Sequence, residues 1–112
     1  MGKRFEVVFL PEAVAFMDRV GGRVREKIYY NIRKAQVLND PELFKKITED
    51  IWEFRTRYES NAYRLFAFWD KSILPTVVVA THGSLKKTQK TPASDIARAE
   101  RIRAKYYYGK NI

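Results

Sequence analysis

Alternating side chains in the middle of the chain constrain its fold more than any other feature. Over residues 52–58, mostly apolar side chains at every second position alternate with charged ones. A period of two predicts a β-strand that buries one face and leaves the other in solvent. Residues 62–69 and 76–85 have the aromatic and β-branched composition of two more strands, with turn-forming residues between them. The sequence therefore predicts a three-strand antiparallel meander.

Helical patterns lie on both sides of this meander. Residues 5–10 have the composition of a further strand, and apolar residues at helical spacing then continue to a break at Gly21 and Gly22. A second helical pattern follows the break, so we expect the two helices to form a hairpin against the sheet. Near the C-terminus, Thr91 as the N-cap and Pro92 at the first helical position predict a final helix.

The order of these elements defines the predicted fold class. The order is β-α-α-β-β-β-α, which predicts one α+β domain over residues 1–112. The N-terminal helix hairpin and the C-terminal helix are expected to cover a small, mostly antiparallel sheet. The first strand has to pair with one of the meander strands, and the sequence leaves open which one.

The composition narrows the classes of partner and chemistry. The 112 residues include 22 Lys and Arg against 13 Asp and Glu, a net charge of +9. A nucleic acid, an acidic protein or an anionic membrane would each suit this charge. The lack of cysteine excludes disulfides and a cysteine nucleophile, and a single histidine excludes a histidine-rich metal site. We also expect no metal and no cofactor. No signal-like or membrane-spanning segment is apparent, and we expect a cytoplasmic protein.

Basic side chains are expected to meet at one end of the predicted sheet. Arg55 and Arg57 lie two residues apart and share a strand face, while Arg64 lies early in the next strand, across the turn. The last strand leads into residues 81–92, where the only histidine, His82, is followed by three lysines. Such a cluster suits the binding of a phosphate backbone, which makes RNA the first substrate to consider.

The same residue types suit the chemistry of RNA cleavage. Attack by a neighbouring 2′-hydroxyl requires a base, an acid and cations that stabilise the phosphorane. Arginine suits the third role because its planar guanidinium matches phosphate oxygens. Lysine can act as the base when neighbouring cations lower its pKa, and His82 titrates near neutral pH. Structural explanations stay open, because a lone histidine after a valine run is more often structural and exposed arginines and lysines can simply be solvated.

Three segments together resemble a known group of proteins. Residues 51–58 contain the pattern Trp-Glu-x-Arg-x-Arg, residues 62–66 read Ala-Tyr-Arg-Leu-Phe, and the segment from His82 reads His-Gly-x-x-Lys-Lys-Thr-x-Lys-x-Pro. With the order of the predicted elements, these segments resemble the RelE/ParE toxin superfamily and its phage-derived, HigB-like branch in particular. The resemblance extends over residues 5–106.

The resemblance implies a RelE-like fold and the toxin of a type II toxin–antitoxin system. Toxins of this kind enter the ribosomal A site and cut mRNA there without a metal, so the resemblance implies an mRNA endonuclease that works with the ribosome. It also implies a cognate antitoxin that binds and masks the toxin in a hetero-oligomer. Such antitoxins often carry a helix-turn-helix domain that represses the shared operon.

The resemblance also implies roles for individual residues. Arg57 and Arg64 match the arginines that contact the scissile phosphate. Lys86 and Lys87 match the basic residues at the end of the last strand, and His82 matches the histidine of the His-Gly motif. We expect four more basic residues to bind RNA, two of them on the C-terminal helix: Arg55, Lys90, Arg98 and Arg101.

Two other functions fit the same sequence. One is a ParE-like inhibitor of DNA gyrase, which would be a binding protein on the same fold. The other is a phage-derived domain that binds nucleic acid or a partner protein without catalysis. The density of arginine and lysine favours RNA over gyrase as the target but does not exclude gyrase. The sequence leaves the non-catalytic domain open as well.

Overall fold

The computed structural model describes residues 2–110, and the ends of the predicted domain at Met1, Asn111 and Ile112 lie outside the described residues. The elements in chain order are β1 Glu6–Phe9, α1 Pro11–Arg19, α2 Gly22–Val37, β2 Phe44–Lys46, β3 Trp52–Tyr58, β4 Asn61–Asp70, β5 Val77–Leu85 and α3 Ala93–Lys110. This is the predicted α+β architecture with one strand added. None of the described helices is long and apolar enough to cross a membrane.

The predicted order of elements was wrong in one respect, because it omitted β2. This strand is three residues long, and Lys45 and Lys46 are both exposed. A strand that short, with one buried side chain, shows no alternation that could reveal it. It forms only through its antiparallel pairing with β3, where Phe44 lies opposite Phe54.

The sheet has the strand order β1-β5-β4-β3-β2 over the described residues. The β1 strand pairs with β5 in parallel, and the other three pairings are antiparallel. The prediction of a mostly antiparallel sheet is therefore confirmed. The partner of the first strand, which the sequence left open, is the last strand of the meander.

Two apolar cores flank the sheet. The core under α1 and α2 includes Phe16 and Ile28, and the core under α3 includes Phe68 and Ala99. Full burial of a large apolar side chain contributes about 1.5–3 kcal/mol, so each helix layer is held mainly by a few such residues. The sheet is therefore the middle of three layers. Polar side chains near the ends of its strands are available for a functional site.

A β-bulge near the end of β5 changes the direction of its side chains. Thr81 and His82 together lie opposite the single residue Phe66, where the register between β4 and β5 shifts. His82 therefore lies on the side of the sheet that α3 covers, with its ring stacked on Phe66 at 4.8 Å between centroids. The bulge thus turns the His82 side chain at the end of β5 toward α3.

The far end of α3 is fastened by a buried carboxylate. Asp70, at the end of β4, is fully buried and accepts hydrogen bonds from the Tyr106 hydroxyl and the Lys110 Nζ, each at 2.7 Å. Burial alone raises the pKa of this carboxyl, but hydrogen bonds from Lys110, Ser72 and Tyr106 outweigh it and hold the pKa well below its usual value. Residues at both ends of α3 therefore dock it on the sheet.

Candidate functional site

A cleft of about 410 Å³ opens between α2 with the loop that follows it, strands β3 and β4, and the start of the segment after β5. Half of its twelve lining residues are cationic: Lys27, Lys34, Arg55, Arg57, Arg64 and Lys86. Two carboxylates, Asp40 and Glu42, also line it. The excess of positive charge makes this cleft suitable for a phosphate group.

The predicted meeting of three arginines is present in the structure. Arg55 lies directly opposite Arg64 in the pairing of β3 with β4, and Arg57 lies opposite Ala62, two positions nearer the turn. Arginines at alternate positions of a strand point to the same face, so Arg55 and Arg57 both reach the cleft. Arg57 is exposed and Arg55 is partly buried, which leaves both within reach of a ligand.

Lys86 lies beside these arginines, one residue after the end of β5. Its backbone N–H donates to the Ala62 carbonyl at 2.7 Å, which continues the pairing of β4 with β5 and fixes the lysine at the cleft. Desolvation lowers the pKa of Lys86, and the charges of Arg55, Arg64 and Arg57 lower it further, while Glu53 opposes them. The amine of Lys86 is consequently easier to deprotonate than that of an ordinary lysine.

A second depression of about 350 Å³ adjoins the cleft and shares Arg57, Ala62 and Lys86 with it. Lys87 lines this second depression and is exposed. The structure therefore brings Arg57, Lys86 and Lys87 to the lining of one depression.

Arg64 has a different environment from the other two arginines. It is 2% exposed, and its guanidinium donates to the backbone carbonyls of Thr88 at 2.9 Å and Gln89 at 3.0 Å. A longer hydrogen bond of 3.4 Å reaches the Lys90 carbonyl. We call residues 86–92 the strap, because they cross over Arg64 and connect β5 to α3. Arg64 holds the strap in place, and in this arrangement its N–H groups are directed at protein carbonyls.

A buried carboxylate completes the anchor of the strap. Glu53 Oε1 lies 3.2 Å from Arg64 Nε, close enough for an ion pair, although the two groups lack the alignment of a hydrogen bond. Arg55 Nε lies 3.5 Å from the other oxygen of the same carboxylate. The prediction of Thr91 as the N-cap and Pro92 as the first helical residue was wrong, because α3 begins at Ala93. The Thr91 hydroxyl donates to Glu53 Oε1 at 3.2 Å instead.

His82 does not line the cleft. Its side chain is 1% exposed, with Nδ1 3.1 Å from the Thr81 hydroxyl and Nε2 3.3 Å from Asp95 Oδ1. Burial lowers its pKa, although the hydrogen bond with Asp95 opposes the shift. The Ser84 hydroxyl donates to the second oxygen of Asp95 at 3.2 Å. The structure thus places His82 in the joint between β5 and the first turn of α3.

The other basic residues predicted to bind RNA are dispersed. Lys90 is exposed on the strap, and Arg101 is exposed on α3. Arg98 forms an ion pair with Glu12 of α1 and so links the two helices. The hydrogen bond from Arg98 is the largest cause of the lowered pKa of the Glu12 carboxyl. The structure does not bring these three residues into the cleft with Arg55.

Sequence reasoning missed the contribution of α2. Lys27, Asn31 and Lys34 all line the cleft, at positions four and three residues apart on one side of the helix. Asn31 is buried, and its amide donates to the Thr56 hydroxyl of β3 at 3.2 Å, which fixes this side of α2 against the sheet. The available signal was the helical spacing of these three polar residues.

The arrangement has a definite chemical character. Within residues 2–110, no group of three or more histidine, aspartate and glutamate side chains is placed to hold a metal ion. What the cleft offers is a lysine amine with a lowered pKa next to exposed guanidinium groups. These groups can bind a phosphate, stabilise added negative charge on it and exchange a proton with a nearby hydroxyl.

Comparison with known proteins places the chain in a family. No curated protein matches its sequence. The model of the family described as Phage derived protein Gp49-like (DUF891) matches residues 15–104, which include every residue that lines the cleft. This match covers well over half of the chain. The protein therefore belongs to the Gp49-like family of phage-derived proteins, a member of the RelE/toxin-like superfamily.

Proposed function

We propose that this protein is the HigB-like toxin of a type II toxin–antitoxin system and cuts mRNA on the ribosome as a metal-independent endoribonuclease of the cytoplasm. The observation that supports this function best is the position of Lys86, whose pKa is lowered, beside Arg55 and Arg57 in a cationic cleft. Membership of the RelE/toxin-like superfamily supports the toxin role.

The proposed reaction uses the 2′-hydroxyl of the RNA as the nucleophile. The neutral amine of Lys86 takes the proton of this hydroxyl, while the 2′-oxygen forms a bond to the adjacent phosphorus. The bond between phosphorus and the 5′-oxygen then breaks, and the ammonium group of Lys87 donates a proton to that oxygen. The products are a 2′,3′-cyclic phosphate and a free 5′-hydroxyl, and no external oxidant, reductant or metal takes part.

The arginines have separate roles in this proposal. Arg57 is exposed at the cleft, and its guanidinium would stabilise the charge that develops on the phosphorane, with Arg55 behind it. Arg64 would act as a positioning residue, since its N–H groups hold the strap that carries Lys86 and Lys87. His82 would fasten α3 to the sheet and take no part in proton transfer.

A cognate antitoxin is the proposed protein partner. The cleft and the depression beside it carry enough excess positive charge to attract an acidic segment of another protein. Binding there would cover Arg57 and Lys86 and so block access of RNA. We propose a hetero-oligomer of this toxin with an antitoxin that carries a helix-turn-helix domain.

Expression in growing cells tests this function. We expect induction of the wild-type chain to stop protein synthesis and to produce cut transcripts, and Arg57→Ala to abolish both. Arg19→Ala is a matched control, because Arg19 is an exposed arginine of α1 that does not line the cleft. A DNA-damage response with intact transcripts would favour a gyrase inhibitor, and no growth arrest at all would favour a binding domain without catalysis.

A further inference from the structure

A second basic surface lies on α2, next to the cleft. A groove of about 740 Å³ runs along this helix and is completed by one residue of β3. Its cationic and aromatic lining residues are Arg23, Lys27, Tyr29, Tyr30, Arg33 and Tyr58, and Glu26 is its only acidic one. We call this surface the α2 groove. It combines cations with aromatic rings, which neither the cleft nor its neighbouring depression does.

The tyrosines of the α2 groove remain accessible. Tyr29 is 38% exposed and Tyr30 is 49% exposed. The ring of Tyr29 is supported from below by Phe9, at 5.7 Å between centroids. Lys27 and Lys34 lie over the ring of Tyr30, 5.2 and 5.5 Å from its centroid. Positively charged groups therefore lie against one of two partly exposed aromatic rings.

The cations of the α2 groove have no acidic partners in the part of the chain that the structure describes. Among residues 2–110, no ion pair involves Arg23, Lys27 or Arg33. On α3, by contrast, Arg98 and Arg103 are both paired with carboxylates of other elements. The uncompensated charge of the helices thus lies more on α2 than on α3.

The α2 groove is continuous with the cleft, because Lys27 lines both. We propose that the α2 groove binds single-stranded RNA next to the position of cleavage, with bases stacked on Tyr30 and Tyr29 and phosphates paired with Arg23, Lys27 and Arg33. This inference rests on the proposed function, which makes RNA the expected ligand. The inference adds that the RNA runs along α2, a path that the position of the cleft does not specify.

The chemistry of the α2 groove matches single-stranded nucleic acid better than an acidic protein segment. A cationic groove with exposed aromatic rings is the usual combination for unpaired strands, because every base has a face that can stack. An acidic protein segment would use the cations and would gain little from the two tyrosines. The exposed rings therefore decide in favour of RNA.

Fluorescence anisotropy with a 2′-O-methyl RNA of about 12 nucleotides tests the proposal, because this length fits the usual site sizes for single strands. The 2′-O-methyl groups remove the nucleophile, so binding is measured without cleavage. We expect Tyr30→Ala to weaken binding by about five- to hundredfold, as removal of a stacking ring does, and Tyr30→Phe to bind like the wild type. Arg33→Ala should reduce the slope of log affinity against log salt by about 0.7.

Matched variants on α3 provide the controls. Tyr108→Ala removes another exposed tyrosine and Lys105→Ala removes another exposed cation, and neither residue lines the α2 groove. The proposal is overturned if Tyr30→Ala and Arg33→Ala bind the RNA no more weakly than these controls. It is also overturned if Arg33→Ala weakens the binding of a poly-glutamate peptide while Tyr30→Ala leaves the affinity for RNA unchanged. Cleavage on the ribosome is a separate readout, so failure of the proposed function would be seen independently.

Discussion

Arg64 and Glu53 form a buried ion pair beneath the strap, with Nε and Oε1 3.2 Å apart and both side chains almost fully enclosed. The pair lies on adjacent strands, and the remaining N–H groups of Arg64 reach three carbonyls of the strap. A loop that carries the proposed reactive lysines is thereby tied to the rigid sheet. Preorganisation of this kind would support the proposed reaction, because that reaction depends on the placement of side chains.

Removal of Glu53 should release the strap. In Glu53→Ala the charge of Arg64 stays buried without its carboxylate, so we expect the free energy of unfolding to fall by about 3–5 kcal/mol. Hydrogen exchange of the backbone amides in residues 86–91 should accelerate. Urea denaturation and exchange mass spectrometry measure the two effects.

Glu42→Ala is the matched control for this variant. Glu42 is an exposed carboxylate of the cleft, and its loss should change the free energy of unfolding by less than about 0.5 kcal/mol. Unchanged exchange of the strap in Glu53→Ala would show that the ion pair does not hold it.

The lowered pKa of Lys86 predicts the pH dependence of cleavage. The proposed base acts as a neutral amine, so the single-turnover rate should rise with pH and level off below the ordinary lysine pKa of 10.5. The Arg55→Ala variant lacks one of the charges that lower the pKa of Lys86. This pKa should therefore rise, and the ascending limb of the pH–rate profile should move to higher pH. Lys105→Ala, on α3 and outside the cleft lining, should leave the limb where it is. Identical profiles for Arg55→Ala and the wild type would contradict the role of Lys86.

His82 should affect folding and not cleavage. Its folded-state pKa is lowered, so the fold disfavours the protonated ring. Its contribution to stability should be complete above the unfolded pKa of about 6.5 and should decrease as pH falls from there toward the folded pKa. In His82→Gln we expect this part of the pH dependence to disappear while cleavage stays close to the wild-type rate. A variant that folds with wild-type stability and does not cut RNA would instead make His82 catalytic.

Gly83 should be intolerant of any side chain. A Cβ atom at this position would overlap the ring of Phe16, a buried side chain of α1. We expect Gly83→Ala to lower the free energy of unfolding by about 1–3 kcal/mol, which thermal and urea denaturation would measure. Gly109→Ala is the control, because a Cβ atom there would meet nothing within 4 Å and alanine favours helix. Equal stability of Gly83→Ala and the wild type would refute the close approach.

Elements with a strong local pattern could be predicted from the sequence. The alternation over Trp52–Tyr58 was enough to define β3, and Pro11 marked the start of α1 because proline fits the first helical turn. The short strand β2 had no such pattern and depends on a neighbour that only the folded sheet supplies. The same holds for the parallel pairing of β1 with β5, which joins residues distant in the chain.

The site was predictable in its composition but not in its details. The meeting of Arg55, Arg57 and Arg64 followed from strand alternation and one turn. Nothing in the local sequence shows that Arg64 is buried under the strap, since its partners are backbone carbonyls that lie more than twenty residues away. The bulge that turns His82 toward α3 was equally hidden, because it depends on a register shift between two strands.

Cleavage of mRNA on purified ribosomes tests the central claim most directly. The comparison would use the wild-type protein, Lys86→Ala and Lys86→Arg under conditions in which all three are folded. The cut ends of the RNA would be mapped and their chemistry determined. We expect the wild type to leave a 2′,3′-cyclic phosphate and a 5′-hydroxyl, and both variants to cut at least about a hundredfold more slowly, because arginine keeps the charge but cannot accept the proton. Cleavage by Lys86→Ala at the wild-type rate, or no cleavage by the wild type, would contradict the account.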